Sequence, residues 1–138
     1  MKRGLVTRRT VGAALAVLLA LPLPVAGAQG LGPPAATSVE RDLDEKLIRL
    51  LELLGSVQFL RQLCDPAETT RWRDRASLLI DAEAETDARR QELTAAFNRG
   101  YRAFSAYRDC TDNALFALDR FTGQGERLTR DILVRYGE

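Results

Sequence analysis

The chain has 138 residues, with 20 Lys and Arg against 19 Asp and Glu, and it contains no histidine. This length predicts one domain rather than two. The near balance of charge argues against a nucleic-acid partner, which usually requires a strong basic excess. Without histidine, Ser–His–Asp and Cys–His catalysis, His-ligated metal sites and histidine pH switches are excluded. Neither a calcium-binding loop of spaced oxygen ligands nor a phosphate-binding glycine loop is visible, so we expect neither a metal nor another cofactor.

The first 28 residues have the features of a secretory signal. Residues 1–10 carry four basic groups and no acid, residues 11–21 are an unbroken apolar run, and Ala26 and Ala28 are spaced as signal peptidase requires. We predict cleavage after Ala28, export to the periplasm and no stable membrane insertion afterwards. An uncleaved anchor is the alternative, because residues 11–28 are uncharged and reach the short limit of a membrane span.

The remaining 110 residues divide into a tether and one helical domain. Residues 29–37 contain two glycines and two prolines, which predicts a flexible tether. Thr37 and Glu40 then form a capping box. Apolar residues follow at helical spacing, which predicts a first helix that ends near Cys64: Leu43, Leu47, Leu50, Leu54 and Val57.

A second helix is predicted to start at Asp65, with Pro66 at its first position and Glu68 at the third. Its core-facing residues are Trp72, Ala76, Leu79 and Ile80. This helix either ends near residues 83–85 or continues directly into the next one.

The third helical stretch carries an apolar and aromatic stripe, formed by Leu93, Phe97, Tyr101, Phe104 and Tyr107. Gly100 lies beside this stripe and predicts a close crossing with another helix.

The fourth helix opens near Thr111 or Asp112. Its predicted inner stripe has alternating spacings of four and three: Ala114, Leu118, Phe121, Gly125, Leu128 and Ile132. We expect a kink or break at residues 122–125, because Gly123 and Gly125 each cost about 1 kcal/mol in a helix interior. Neither a strand pattern nor an internal repeat is visible. The sequence therefore predicts an all-α, antiparallel bundle of three to four helices, spanning residues 38–138.

Cys64 and Cys110 are the only cysteines. Outside the cytoplasm, two well-separated cysteines in a small domain usually form a disulfide. A redox-active pair is the alternative, but catalytic pairs usually lie close together in sequence. We predict a structural bond.

Candidate binding residues cluster on the third helical stretch. Arg99 and Arg102 can share a helix face and, with Asn98, hold a carboxylate or phosphate beside Tyr101 and Tyr107. The alternative is a solvated face whose arginines pair with neighbouring acids.

Trp72 lies among three arginines, which suggests cation–π stacking or an interface anchor. The alternative is packing at the edge of the core. We identify no catalytic residue.

Four segments together resemble a family of small exported proteins of alphaproteobacteria that has no assigned function: residues 55–66 (GSVQFLRQLCDP), 71–83, 96–111 (AFNRGYRAFSAYRDCT) and 133–137. The resemblance implies export and a bond between the two separated cysteines. It implies no catalytic residue.

Two functional hypotheses follow. The first is a periplasmic, non-catalytic interaction or structural protein, which binds an envelope protein through a helical surface that includes Trp72 and Arg102. The second is a binder of a small anionic ligand that uses Asn98, Arg99 and Arg102. Oligomeric state and partner identity stay open.

Overall fold

A computed structural model describes residues 36–67 and 70–137. The predicted signal and most of the predicted tether lie outside these residues. Four helices make up the described structure, with no strand among its residues: α1 (Ser38–Cys64), α2 (Arg71–Glu83), α3 (Asp87–Arg102) and α4 (Asp112–Tyr136). The all-α class is confirmed.

The beginning of α1 is the predicted capping box. The Thr37 amide donates to Glu40 Oε2 at 2.6 Å, and the Glu40 amide donates to Thr37 Oγ1 at 3.2 Å. The helix ends at Cys64, as predicted, where the Asp65 amide donates to the Arg61 carbonyl.

The predicted start of the second helix at Asp65 is wrong. Asp65 caps the end of α1, and its carboxylate accepts from the Ala67 amide at 3.1 Å in a local turn. The helix begins at Arg71 instead. A side chain of α1 binds a free backbone amide in the first turn of α2: the Arg73 amide donates to the buried Gln58 side chain at 2.9 Å. A tertiary contact thus outweighs the local start signal.

A short break separates α2 from α3. The second helix ends at Glu83, and the Thr86 hydroxyl caps the third by accepting from the Arg89 amide. The two helices are therefore not continuous.

The third helix ends at Arg102, so the predicted helical stripe is wrong at Phe104 and Tyr107. Two turns follow, closed by hydrogen bonds from the Ser105 amide to Arg102 and from the Tyr107 amide to Phe104. These turns redirect the chain toward Cys110.

Of the kink or break predicted in α4, the break is wrong, because the helix runs without interruption from Asp112 to Tyr136; the kink stays a prediction. Its inner face packs on α1 through buried Ala114 and Leu118 and half-buried Phe121. We infer that this packing outweighs the roughly 2 kcal/mol cost of two interior glycines.

The bundle is arranged around α1, which packs against all three other helices; α2 also contacts α3. Within the described residues, α1 is the helix whose backbone lies close to that of α4, and the Trp72 side chain of α2 reaches the cluster that these two helices share. Directions alternate along the chain, as predicted. Tyr136 at the end of α4 bonds to Asp42 near the start of α1, whereas Cys110, before α4, bonds to Cys64 at the end of α1.

The predicted close crossing at Gly100 is confirmed. A Cβ added at Gly100 would lie 1.8 Å from the Glu52 carbonyl oxygen, and one added at Gly55 would lie 2.0 Å from the Phe97 carbonyl oxygen. The two glycines therefore let α1 and α3 approach until their backbones touch. Ser56 reinforces the crossing by donating to the Gly100 carbonyl at 3.2 Å.

Two apolar clusters form the core on either side of α1. One contains Leu51, Ala76, Ile80, Leu93, Ala96 and Phe97, from α1, α2 and α3. The other contains Val57, Leu60, Ala114 and Leu118, from α1 and α4. Beside the second cluster, Cys64 and Cys110 form the predicted disulfide, with their Cα atoms 4.9 Å apart.

Candidate functional site

The structure does not bring the six predicted binding residues to one place. Asn98 lines a groove between α2 and α3, whereas Arg99 lines a different groove between α1, α3 and α4. Neighbouring helix residues point about 100° apart, so these two side chains face different sides of α3. Arg102 is exposed and lines neither groove.

The two predicted tyrosines also occupy different surroundings. Tyr101 is half-buried on α3; its hydroxyl donates to Gln62 at 3.0 Å, and its ring packs edge-on against Phe59. Tyr107 lies in the turn after α3, where its ring contacts Phe104 at 5.7 Å between centroids. Tyr101 thus fastens α3 to α1, and Tyr107 remains on the surface.

Trp72 combines both interpretations raised by the sequence. Its ring is half-buried and packs against the cluster shared by α1 and α4, while the Arg75 guanidinium lies 5.0 Å above it. Its indole N–H is buried without a hydrogen-bond partner among the described residues. The side chain is therefore chiefly a packing element.

The groove between α2 and α3 has a volume of about 380 Å³ and a mixed lining. Its floor is apolar and its rim is polar. Arg90 pairs with Asp81 across the groove, and Arg73 lies 5.6 Å above the Tyr101 ring. The two arginines and one aspartate that line this groove give it a net charge of +1.

The outer face of α4 carries exposed apolar side chains. The inner face of this helix packs on α1, and its other side exposes four large apolar side chains. They form two pairs, one at each end of the helix: Leu115 with Phe116, and Leu133 with Val134. We call these four residues the outer apolar pairs.

The outer apolar pairs are far apart and flank a charged centre. Phe116 is 69% exposed and Val134 is 85% exposed. At 1.5 Å per residue, about 27 Å of helix separates them. Between them lie Asp119, Glu126 and Arg127, all exposed. A small molecule cannot span this distance, whereas an elongated protein segment can.

A polar network fixes the C-terminal end of α4 to α1. Lys46 binds Asp42 at 3.2 Å and Asp131 at 3.3 Å, and the Tyr136 hydroxyl donates to Asp42. That hydrogen bond, together with Lys46, lowers the pKa of Asp42. The same contacts with Asp42 raise the pKa of Lys46 and of Tyr136. The network positions the apolar pair at this end of the helix.

The described residues contain no group of three or more His, Cys, Asp or Glu side chains that could hold a metal ion. None of the helices in the same ranges combines the length and apolar character needed to cross a membrane.

A comparison with protein-family models shows the family of this chain. Residues 42–136, which include every helix except the first turn of α1, match the family described as "protein of unknown function (DUF2385)". The chain belongs to this family. No curated protein and no solved structure is significantly similar to this DUF2385 member.

Sequence reasoning missed the exposed face of α4. The inner face was identified from its spacing, but nothing in a single sequence showed that the other side would stay uncovered. The signal was nevertheless present, because Leu115, Phe116, Leu133 and Val134 do not belong to the inner stripe. Apolar residues on both sides of one helix indicate two contact surfaces.

Proposed function

We propose that this DUF2385 protein is an exported, non-catalytic interaction protein, which binds an envelope protein along the outer face of α4. The observation that carries the proposal is the two exposed apolar pairs at the ends of α4, on the side of the helix that faces away from α1. Exposed apolar side chains that are grouped and bordered by polar residues are typical of interaction sites.

The partner is proposed to be an elongated apolar segment, such as a helix lying along α4. Phe116 and Val134 anchor it at the two ends. Asp119, Glu126 and Arg127 lie between the anchors and supply polar contacts at the centre. Buried aromatic and aliphatic anchors usually dominate binding energy, and charged groups contribute orientation.

The periplasmic location rests on different support. The N-terminal residues have the composition of an export signal, and a disulfide is the usual state of paired cysteines outside the cytoplasm. The resemblance to exported alphaproteobacterial proteins agrees with both features. The test is fractionation: a shortened chain in the periplasmic fraction supports export, and a full-length cytoplasmic chain contradicts it.

Co-purification from cells tests the interaction. An affinity-tagged chain is crosslinked in the cell, and the recovered proteins are identified by mass spectrometry. We expect one envelope protein to be enriched by the parent chain and lost from the double variant Phe116→Ser with Val134→Ser. Leu78→Ser is the matched control, because Leu78 is 71% exposed on α2, away from α4.

The same experiment tests the hypothesis based on Trp72 and Arg102. If Arg102→Ala removes the partner while the α4 double variant keeps it, the binding surface lies on α3 and the proposed α4 surface is wrong. Trp72→Ala is less selective, because this ring also packs against the core.

A further inference from the structure

A groove between α1, α3 and α4 gathers three arginines, one from each helix. Arg49, Arg99 and Arg120 line this groove, whose volume is about 380 Å³. We propose that this arginine groove binds a phosphate monoester or free phosphate. None of the outer apolar pairs lines the groove, but Arg120 also lines a neighbouring depression on α4 that includes Phe116.

The charge of the groove is the first argument. Glu52 is its one acidic lining residue, and it binds Arg49 Nη1 at 3.3 Å and Arg99 Nε at 3.1 Å. Three guanidinium groups against one carboxylate leave two net positive charges. A doubly charged oxyanion would neutralise them.

Arg120 is the second argument, because its charge has no acidic partner in the described part of the chain. Its guanidinium lies 5.0 Å above the Phe121 ring, and both residues line the groove. A guanidinium has five N–H donors in a fixed fork, the arrangement that matches the oxygens of a phosphate.

The walls are the third argument. Leu53, Phe104 and Phe121 give the groove an apolar lining beside its charges. An apolar wall beside guanidinium groups offers a surface that the organic part of a phosphate monoester can contact. Glu52 binds two of the arginines, so it competes with the incoming anion for them.

Calorimetric titration with inorganic phosphate tests the proposal. The protein is purified with its disulfide intact and titrated at pH 8 and constant ionic strength, with chloride as the reference anion. We expect saturable binding at one site, and Arg120→Gln should weaken it by about tenfold or more, since two strong hydrogen bonds are lost.

Two further variants make this test specific. Arg130→Gln is the matched control, because Arg130 is an exposed arginine of α4 that does not line the groove; its affinity should equal that of the parent. Glu52→Gln should bind phosphate several-fold more tightly, because the competing carboxylate is removed. An unchanged or weaker affinity in Glu52→Gln, or an equal loss in both arginine variants, would overturn the proposal.

Vesicles distinguish a soluble ligand from a lipid headgroup. Vesicles of phosphatidylcholine with phosphatidic acid present a phosphate monoester, and pure phosphatidylcholine vesicles do not. Phosphate binding without retention on phosphatidic acid supports a soluble ligand. Retention that Arg120→Gln abolishes supports a headgroup. Failure of both free phosphate and phosphatidic acid to bind contradicts the site.

Discussion

The central helix holds α3 and α4 by different means. Toward α3, Gly55 and Gly100 bring the backbones into contact, and no side chain could be added at either position without moving a helix. Toward α4, side chains separate the helices, and the disulfide and the Asp42 network fasten the two ends. At the glycine crossing, the contact with α3 therefore depends on the absence of side chains, whereas the contact with α4 depends on their presence.

This difference separates a structural region from one suited to interaction. Both faces of α3 are engaged, through the crossing with α1 and through contacts with α2. α4 uses only its inner face, which leaves the outer apolar pairs available. A helix attached to one neighbour by one face can present its other face to a partner.

Removing the disulfide should have the largest effect and should act mainly on the α4 side. The bond joins residues 46 positions apart, so its loss should lower the free energy of unfolding by about 4 kcal/mol in the chain-entropy model. Denaturant titration of Cys64→Ser with Cys110→Ser measures this loss. Hydrogen exchange should show α4 less protected, with α3 changed less.

The control for that experiment is a reductant. Adding it should destabilise the parent chain and leave the double variant unchanged. Equal loss of protection in α3 and α4 would show that the two contacts do not differ as described.

Gly100→Ala should break the α3 contact. The added methyl group would meet the Glu52 carbonyl oxygen at 1.8 Å, so α1 and α3 must separate, at a cost of about 3 kcal/mol. Chemical denaturation measures the change. A loss below about 1 kcal/mol would mean that the helices are not in backbone contact.

Gly125→Ala should stabilise the protein, which is the opposite of the effect expected for Gly100→Ala. A Cβ at Gly125 would meet no atom within 4 Å, and alanine is favoured over glycine in a helix interior by about 0.5–1 kcal/mol. We expect the midpoint of unfolding to rise. A destabilised variant would indicate a close contact at Gly125 and would remove the contrast with Gly100.

The pH dependence of the Asp42 network should be the smallest effect. The pKa of Asp42 is lowered on folding, so its stabilisation is present above about pH 4 and is lost as the pH falls further. The pKa values of Lys46 and Tyr136 are raised on folding. The stabilisation that these two groups contribute is therefore present below about pH 10 and is lost above it. Melting temperatures should fall slightly at both extremes.

Asp42→Asn serves as the control for these measurements, because it removes the carboxylate that shifts both partners. Its melting temperature should depend less on pH at the acid end and at the alkaline end. Identical pH profiles for the parent and the variant would contradict the assigned network.

The sequence predicted correctly the structural features that are determined by neighbouring residues or by a single missing side chain. The capping box at Thr37 and the glycine crossing at Gly100 depend on nearby residues and on one missing side chain, and both predictions are confirmed. Gly55 escaped notice because it lies within a leucine-rich run. Its small size matters only once α3 is placed against it.

The errors occurred where tertiary contacts override local signals. Asp65 has the sequence context of a helix start, but the end of α1 uses its amide and Gln58 caps α2 from a distance. Glycine propensity predicted a break that packing on α1 prevents. The arginine groove was inaccessible for the same reason, because Arg49 and Arg120 meet Arg99 only in the folded bundle.

Site-specific photo-crosslinking in living cells tests the central claim most directly. A photoreactive residue is placed at Phe116, at Val134 or, as a control, at Leu78 of α2, which is about as exposed as Phe116. The account predicts that one envelope protein is trapped from both α4 positions and not from position 78. Trapping from position 78 alone, or equally from all three positions, would contradict it.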